Sequence, residues 1–329
     1  MSGETLKKPG KIAVIIPCYR VRSQILGVIA RIPPACNAIY VVDDFCPEGT
    51  ADFVEANARD ARLIVLRNEK NLGVGGATLN GMKRAFDDGA LVMVKIDGDG
   101  QIDPALLPRL VAPILRGDYD YAKGNRFFDL RDLAGMPFVR KIGNAILSFV
   151  SKISSGYWQI FDPTNGFVAI HAIAFQRLLL AEIDKRFFFE SDMLYHLNLL
   201  RAMVVDVPMR AVYGSEKSNF RIMRNAFYFA WHHASNFLTR IFYTYMIRDF
   251  SMASIYLVLS VPLLAFGFIF GTERWIELAQ RGEAATAGTV MLASLPIMLG
   301  AQMLLSFLAF DIGNAPRQPL QRLLGGEYE

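Results

Sequence analysis

Val92-Met93-Val94-Lys95-Ile96-Asp97-Gly98-Asp99-Gly100-Gln101 decides how this chain is read. A short, mostly apolar run ends in two aspartates with one glycine between them. The run has the look of a strand buried in a parallel sheet. The aspartates then fall at the carboxyl end of that strand, where open α/β sheets place their ligands. Two carboxylates on one turn can converge on a hard divalent cation. Mg²⁺ and Mn²⁺ prefer such oxygen ligands and commonly bridge substrate phosphates. An isolated Asp-Gly-Asp is more often a solvated turn, so the neighbouring segments have to decide.

Working outward, an apolar strand is predicted over residues 12–16, closed by Pro17-Cys18-Tyr19. A helix follows and stops at Pro33-Pro34. A second strand over 38–42 ends in Asp43-Asp44, and a third covers 63–66. Helices are predicted over 51–58 and 77–86, with a loop over 68–76. Strands alternating with helices imply βαβ units and a mostly parallel sheet with helices on both faces. Tyr19, Asp43/Asp44 and Asp97/Asp99 then share one sheet edge and can line one cleft. Asp43 and Asp44 have an alternative use as caps of the following helix. Asn71-Leu72-Gly73-Val74-Gly75-Gly76 is not a dinucleotide fingerprint, because its spacing is wrong and it follows the third strand. It is read as a close backbone approach at a helix start, with N–H groups open to phosphate or a polar sugar.

Composition narrows the classes. The chain has 329 residues, a net charge of +4 and three cysteines without Cys-x-x-Cys spacing. This suits a reducing compartment and argues against a zinc site or a disulfide framework. The charge is too weak, and lacks the basic–aromatic stripe, to point to nucleic acid. The first residues are polar and basic, without the apolar core of a cleavable signal peptide. Mean hydropathy is positive, and the excess lies after about Asp249.

Five motifs in order carry a family resemblance: Pro17-x-Tyr19, Val42-Asp43-Asp44, Arg67-Asn68 with Asn71-x-Gly73-x-Gly75-Gly76-Ala77, Asp97-x-Asp99-x-Gln101, and Asp103-Pro104. Together they resemble family 2 glycosyltransferases of the GT-A fold, and among these the polyprenyl-phosphate sugar synthases. The likeness covers roughly residues 10–215. It implies that Pro17, Tyr19, Asp43 and Asp44, with Asn71 and Gly73, line the donor pocket. It places Asp97 and Asp99 at the donor diphosphate, and Asp97, Asp99 and Gln101 as oxygen ligands of Mg²⁺ or Mn²⁺. Phe45 to Thr50 departs from the pattern, which weakens the base and ribose contacts.

A strand over 118–123 leads into a basic stretch of Lys123, Arg126, Arg131, Arg140 and Lys141. Its alternatives are surface charge or a site for an anionic acceptor, since arginine forks bind phosphate bidentately. The resemblance favours Arg126, then Arg131. Asp162-Pro163-Thr164-Asn165-Gly166-Phe167 resembles the family segment bordering the donor sugar, with Asp162 either orienting that sugar or stabilising positive charge at its anomeric carbon. Glu190 or Asp192 contacts the sugar or caps a helix. Residues 213–219 read as a mobile loop over the cleft.

The rest of the chain reads as a membrane anchor. Over 221–248, polar positions recur at steps of three and four, opposite Ile222, Phe229, Ala230, Phe237, Ile241 and Phe242. This suggests an amphipathic helix in the interface. Residues 250–272 and 286–310 are uncharged. At 1.5 Å per residue, 250–272 span roughly 34 Å, enough for the hydrocarbon core. The organisation expected is a catalytic domain over 1–215, a juxtamembrane helix over 216–249, a hairpin over 250–312 and a tail over 313–329. Flanking Arg and Lys place the catalytic domain and both termini in the cytoplasm of a multi-pass inner-membrane protein.

The expected activity is therefore inverting transfer of one sugar from a nucleotide diphosphate sugar to a polyprenyl phosphate such as undecaprenyl phosphate. Asp99, Arg126, Arg131 and Asp162 are its candidate catalytic residues. The alternatives are a glycosyltransferase with another acceptor, or a silent nucleotide-sugar-binding membrane protein. The Gln-x-x-Arg-Trp motif of processive synthases is not present. A homo-oligomer is expected from the small two-span footprint.

Overall fold

The computed structural model describes residues 11–128, 138–209 and 222–325. It divides into two compact units, residues 1–237 with 316–329, and residues 238–315. Among the described residues, the first unit is built on a seven-stranded sheet of order β3-β2-β1-β4-β6-β5-β7. The strands are β1 (Ile12–Cys18), β2 (Ala38–Asp43), β3 (Leu63–Arg67), β4 (Val92–Lys95), β5 (Tyr121–Asn125), β6 (Val168–His171) and β7 (Val204–Pro208). All pairings are parallel except those of β6, which runs antiparallel to both β4 and β5.

Period-two alternation sends side chains to two cores. Ile15, Tyr40, Val42 and Met93 pack on one face with α3 (Gly73–Asp87) and α7 (Phe189–Leu199). Ile16, Ile39, Val41, Val92 and Val94 pack on the other with α1 (Ile25–Ala30) and α4 (Leu107–Leu115). The sheet with helices on both faces thus matches the expected α/β class. Its other helices are α2 (Thr50–Asn57), α5 (Phe138–Ser155) and α6 (Ala172–Gln176).

His171 ends β6 and caps α6, its Nδ1 accepting from the Ile173 amide at 3.2 Å. Burial pushes its pKa down to about 4, so the folded protein holds it neutral while the unfolded chain takes a proton near pH 6.5. Its contribution to stability is therefore lost as pH falls from 6.5 to 4. His171→Asn keeps a capping acceptor and removes the titration. We expect the variant to match the parent at pH 7 and to exceed it by roughly 2–3 kcal/mol near pH 4. Chemical denaturation across that range is the measurement, and parallel curves would refute the assignment.

α8 (Ile222–Phe242) is continued by a π-helix, Tyr243–Arg248. Its orientation corrects the sequence reading. The His233 ring meets Ser154 Oγ at 2.7 Å, the Asn236 amide donates to Asp192 at 2.7 Å, and Phe229 packs edge-on against Phe188. Of the residues assigned to the lipid face, Phe229 and Ile241 are buried while Ala230 and Phe242 are exposed, and Phe227, Trp231 and Leu238, which were not assigned to it, are exposed as well. Specific hydrogen-bond partners across the helix turned its mixed face inward, a choice that spacing alone does not encode.

α5 shows the same inversion. Ser148, Ser151, Ser154 and Ser155 are buried, and Phe138, Ile142, Ile146 and Phe149 are exposed.

In the second unit, α9 (Met252–Arg281) and α10 (Ala287–Gly313) are long and apolar enough to cross a membrane, and most of each is exposed. α9 runs about nine residues past the expected span. Glu277 pairs with Arg274 and Arg281 at helical spacing, so the charged linker continues the helix. Arg240 forms a buried fork with Asp311, at 2.7 and 3.0 Å, and Tyr245 donates to the same carboxylate.

The segment read as a tail contains α11 (Leu320–Leu324), which packs back on the sheet unit. Asp120 accepts the amides of Leu320 and Gln321 at 2.8 and 3.0 Å, and the Gln321 side chain donates to Ile114 and Tyr119 carbonyls.

Candidate active site

The carboxyl ends of β1, β2 and β4 lie along one sheet edge, with Cys18 beside Asp43 and Ile15 beside Lys95 in register. Pro17 lies within β1, and Tyr19 follows it, 44% exposed. Phe45 stands beyond β2, 63% exposed and at a positive φ of 56°, as does Arg20 at 58°. Side chains other than glycine rarely adopt that region, and such strain gathers at functional sites. Phe45 was not among the expected site residues, since its backbone angle leaves no mark in composition or spacing.

Asp43 and Asp44 are buried and engaged by the chain itself. Asp43 accepts from the amides of Cys46 and Ala51, at 2.7 and 2.8 Å. Asp44 accepts from Asn68 Nδ2, and from the Leu72 and Gly73 amides at 2.8 Å each. Asn71 donates to the Asp44 carbonyl. These residues shape the loops around the pocket, in line with the capping alternative.

Of the N–H groups expected to be open from Gly73 to Gly76, two are taken by the chain. The Gly73 amide goes to Asp44 and the Gly76 amide to the Lys185 carbonyl. Gly73 has φ +84°, and a Cβ there would lie 2.5 Å from that same carbonyl. The glycines admit the 184–186 backbone, which a local reading of the motif did not reveal.

The turn after β4 brings Asp97, Asp99 and Gln101 together. Asp99 accepts from the Gln101 amide at 3.0 Å, and Asp103 caps the next helical turn through the Ala105 amide. Asp97 is one third exposed, and its Oδ1 lies 2.7 Å from Lys95 Nζ. Lys95, which the motif reading passed over, is buried and also meets Glu190 Oε1 at 2.9 Å. Burial pulls its pKa down, but Asp97 and Glu190 outweigh that and raise it, so it is a fixed cation.

Among the described residues no group of three or more His, Cys, Asp or Glu could hold a metal. Two carboxylates and an amide on one turn still fit Mg²⁺ or Mn²⁺, whose shells are commonly completed by water and substrate phosphate.

β5 runs in the same direction as β4, two strands away, and therefore ends roughly 10 Å along the same edge. Arg126 follows it and forks onto Asp162, with Nε–Oδ2 at 2.8 Å and Nη2–Oδ1 at 2.9 Å. Asp162 is buried and also accepts from Asn165. The two residues assigned separately to acceptor and sugar thus form one pair.

Lys123 leaves the expected basic surface. It is buried, donates to the Asn165 carbonyl, and has its pKa lowered to about 8, chiefly by burial. Arg131, the Arg140 side chain and the loop over 213–219 lie outside the described residues. Glu190 is on Lys95, and Asp192 accepts from the Asp184 amide and Asn236.

Comparison with known proteins agrees with this geometry. The chain is 28% identical over 216 residues to a UDP-N-acetylglucosamine–dolichyl-phosphate N-acetylglucosaminyltransferase of Methanococcus voltae, covering 61% of this chain and 86% of that one. It is 29% identical over 206 residues to an undecaprenyl-phosphate mannosyltransferase of Micrococcus luteus, covering 61% and 84%. Glucosyl-3-phosphoglycerate synthase from Mycobacterium tuberculosis, crystallised with Mn²⁺, UDP and glucosyl-3-phosphoglycerate, shares the fold. Its TM-score is 0.51 at 17% identity, over 70% of this chain and 80% of that one. A model of the family Glycosyl transferase family 2 matches residues 13–179. With that match spanning half its length and the motif aspartates on the expected edge, this chain is a member of glycosyl transferase family 2, resembling the polyprenyl-phosphate sugar synthases.

Proposed function

We propose that this protein moves one sugar from a nucleotide diphosphate sugar to a polyprenyl phosphate at a membrane surface, with inversion. The observation that carries the reading is one sheet edge bearing both a carboxylate turn and an arginine fork, in a chain with two apolar, exposed helices. The named relatives act on lipid phosphates.

Tyr19 and Phe45 offer aromatic faces for the base. Asp97, Asp99 and Gln101 would hold Mg²⁺ or Mn²⁺, which neutralises charge on a departing diphosphate when bound. Asp162 aims Arg126, whose guanidinium is the candidate contact of the attacking anion. That nucleophile is a phosphate monoester with a second pKa near 6, largely dianionic at neutral pH. It carries no proton that must be removed, so the chain needs no general base. Its own task is to hold both anions at the reacting carbon.

Membrane contact is supported by α5 and α8, which turn serine, histidine and asparagine inward and phenylalanine, isoleucine and tryptophan outward. Apolar residues on the outside of a helix mark an interaction surface. The chain leaves the sheet unit at Phe237 and rejoins it at Pro316. Both ends of the hairpin therefore belong on one side of the bilayer, the cytoplasmic side by the distribution of Arg and Lys.

The test uses purified protein, undecaprenyl phosphate, Mg²⁺ or Mn²⁺, and a panel of UDP- and GDP-sugars. One donor yielding a lipid carrying one sugar, seen by mass spectrometry, supports the reading. Nucleotide release without lipid product would reassign the acceptor. In the same assay, Arg126→Lys loses the two-pronged fork and should raise acceptor KM about tenfold with donor KM little changed. Equal weakening of the donor would move Arg126 to the donor side.

A further inference from the structure

Asp206 interrupts the apolar strand β7, Val204-Val205-Asp206-Val207-Pro208. It lies opposite Lys123 of β5 in register, but Lys123 donates to the Asn165 carbonyl. The hydrogen bonds of Asp206 gather on one oxygen. Oδ2 accepts from Asn125 Nδ2 at 2.9 Å and from the Phe161 amide at 2.8 Å. Oδ1 is buried without a hydrogen-bond partner among the described residues. Burial pushes the pKa up to about 6, against the Phe161 amide, Lys123 and Asn125, and Asp162 adds to the rise. At neutral pH the group is therefore chiefly an anion. A carboxylate in such a place costs desolvation, and the two donors on Oδ2 offset it.

Those donors flank the arginine fork. Asn125 directly precedes Arg126, and Phe161 directly precedes Asp162. One oxygen thus joins the two segments, 36 residues apart, that carry the fork. Asn125 extends the hold, since its Oδ1 accepts from the Phe127 amide at 2.9 Å and closes a turn over Arg126. The Phe127 and Phe161 rings meet edge-on, with centroids 5.7 Å apart.

We propose that Asp206 is a positioning residue for the acceptor, holding the backbones of Arg126 and Asp162 in the register in which their fork closes. The fork's own bonds fix guanidinium relative to carboxylate, but not the pair relative to the sheet. Asp206 supplies that second constraint from β7, which is itself paired along β5. A guanidinium displaced by about 1 Å carries the phosphate out of line with the reacting carbon, which costs up to about 10²-fold in rate. The inference rests on the reading of the fork as the acceptor site and adds to it a residue from outside the motifs.

The experiment uses the full-length protein in detergent with undecaprenyl phosphate, and reads acceptor KM, donor KM and kcat. Nucleoside diphosphate affinity by calorimetry and thermal unfolding are measured alongside. Asp206→Ala removes the shared acceptor oxygen. It should raise acceptor KM about tenfold or more, with nucleotide affinity within about threefold of the parent. Asp206→Asn puts a carbonyl oxygen in the place of Oδ2 and should bring acceptor KM back to within about threefold. If Asp206→Ala does not fold, Asn125→Asp carries the test. It sets two carboxylates against each other, which share a proton at low pH and repel at high pH, with Lys123 and Asp162 beside them. Its acceptor KM, divided by that of the parent at the same pH, should be about tenfold at about pH 8 and fall toward unity at about pH 6. An Asp206→Ala variant that is only less stable, or that loses donor and acceptor alike, overturns the positioning role. So does Asp206→Asn as poor as the alanine variant, or an Asn125→Asp ratio that stays near unity throughout. Arg126→Lys is the control on the underlying reading. If it leaves acceptor KM unchanged, the fork is not the acceptor site, and the positioning role falls with it.

Discussion

Asp99→Ala should lower turnover by about 10²–10³-fold while the protein stays folded. Asp99 lies on the half-buried turn after β4, outside both cores, and accepts from the Gln101 amide. Its removal therefore leaves both sheet cores intact. In the proposed reaction it supports the charge that builds on the departing diphosphate, a contribution that grows toward the transition state and so appears in kcat. The measurement is nucleoside diphosphate release at saturating donor, with thermal unfolding as the control. Activity within threefold of the parent, on the order expected for a surface carboxylate, would remove Asp99 from the site.

The second large effect is at Gly166. A Cβ there would lie 2.1 Å from Asp97 Oδ2 and 2.6 Å from Lys95 Nζ. Neither neighbour can yield freely, because Asp97 is held by Lys95, and Lys95 by Glu190 and the Gly166 carbonyl. Gly166→Ala must therefore push the Asp97 carboxylate off its ammonium or move the loop that carries residue 166. We expect a loss of about 1–3 kcal/mol of stability from overpacking and a fall in turnover of about 10²-fold or more as Asp97 leaves its position. The control is Gly27→Ala on α1, where a Cβ meets nothing within 4 Å. That variant should keep full activity and gain up to about 1 kcal/mol. Equal behaviour of the two alanines would show that Asp97 is not sterically confined.

Much of the architecture was legible because it depends on local pattern. Strand-length apolar runs located β1 to β4 within a residue or two, and alternation with helices identified the α/β class. The long uncharged stretches located α9 and α10. The direction of β6 was not legible, since an apolar run reads the same for parallel and antiparallel pairing. Nor was the course of α11, whose docking depends on Asp120, two hundred residues earlier in the chain.

In the site, the motif aspartates were found because glycine and aspartate at a strand end are visible in one dimension. Their partners were not. The Arg126–Asp162 fork joins residues 36 apart, and the Lys95–Glu190 contact joins residues 95 apart. For Asp43 and Asp44, the sequence showed neither the backbone amides nor the Asn68 side chain that they accept from in the fold. The amphipathic spacing of α8 was plain, but which face turned inward depended on where Ser154 and Asp192 stood.

By itself, then, the sequence determined the family, the strand that carries the carboxylates and the two helices fit to cross a membrane. Each of these depends on near neighbours along the chain: apolar period, turn residues and length. Only the tertiary structure decided which carboxylates the chain itself engages, and through which partners. That depends on burial and hydrogen-bond partners brought together from distant segments, and the lysine that ends β4 shows why. In one dimension Lys95 breaks an apolar run, whereas in the fold it is the ammonium on which Asp97, Glu190 and the Gly166 carbonyl converge.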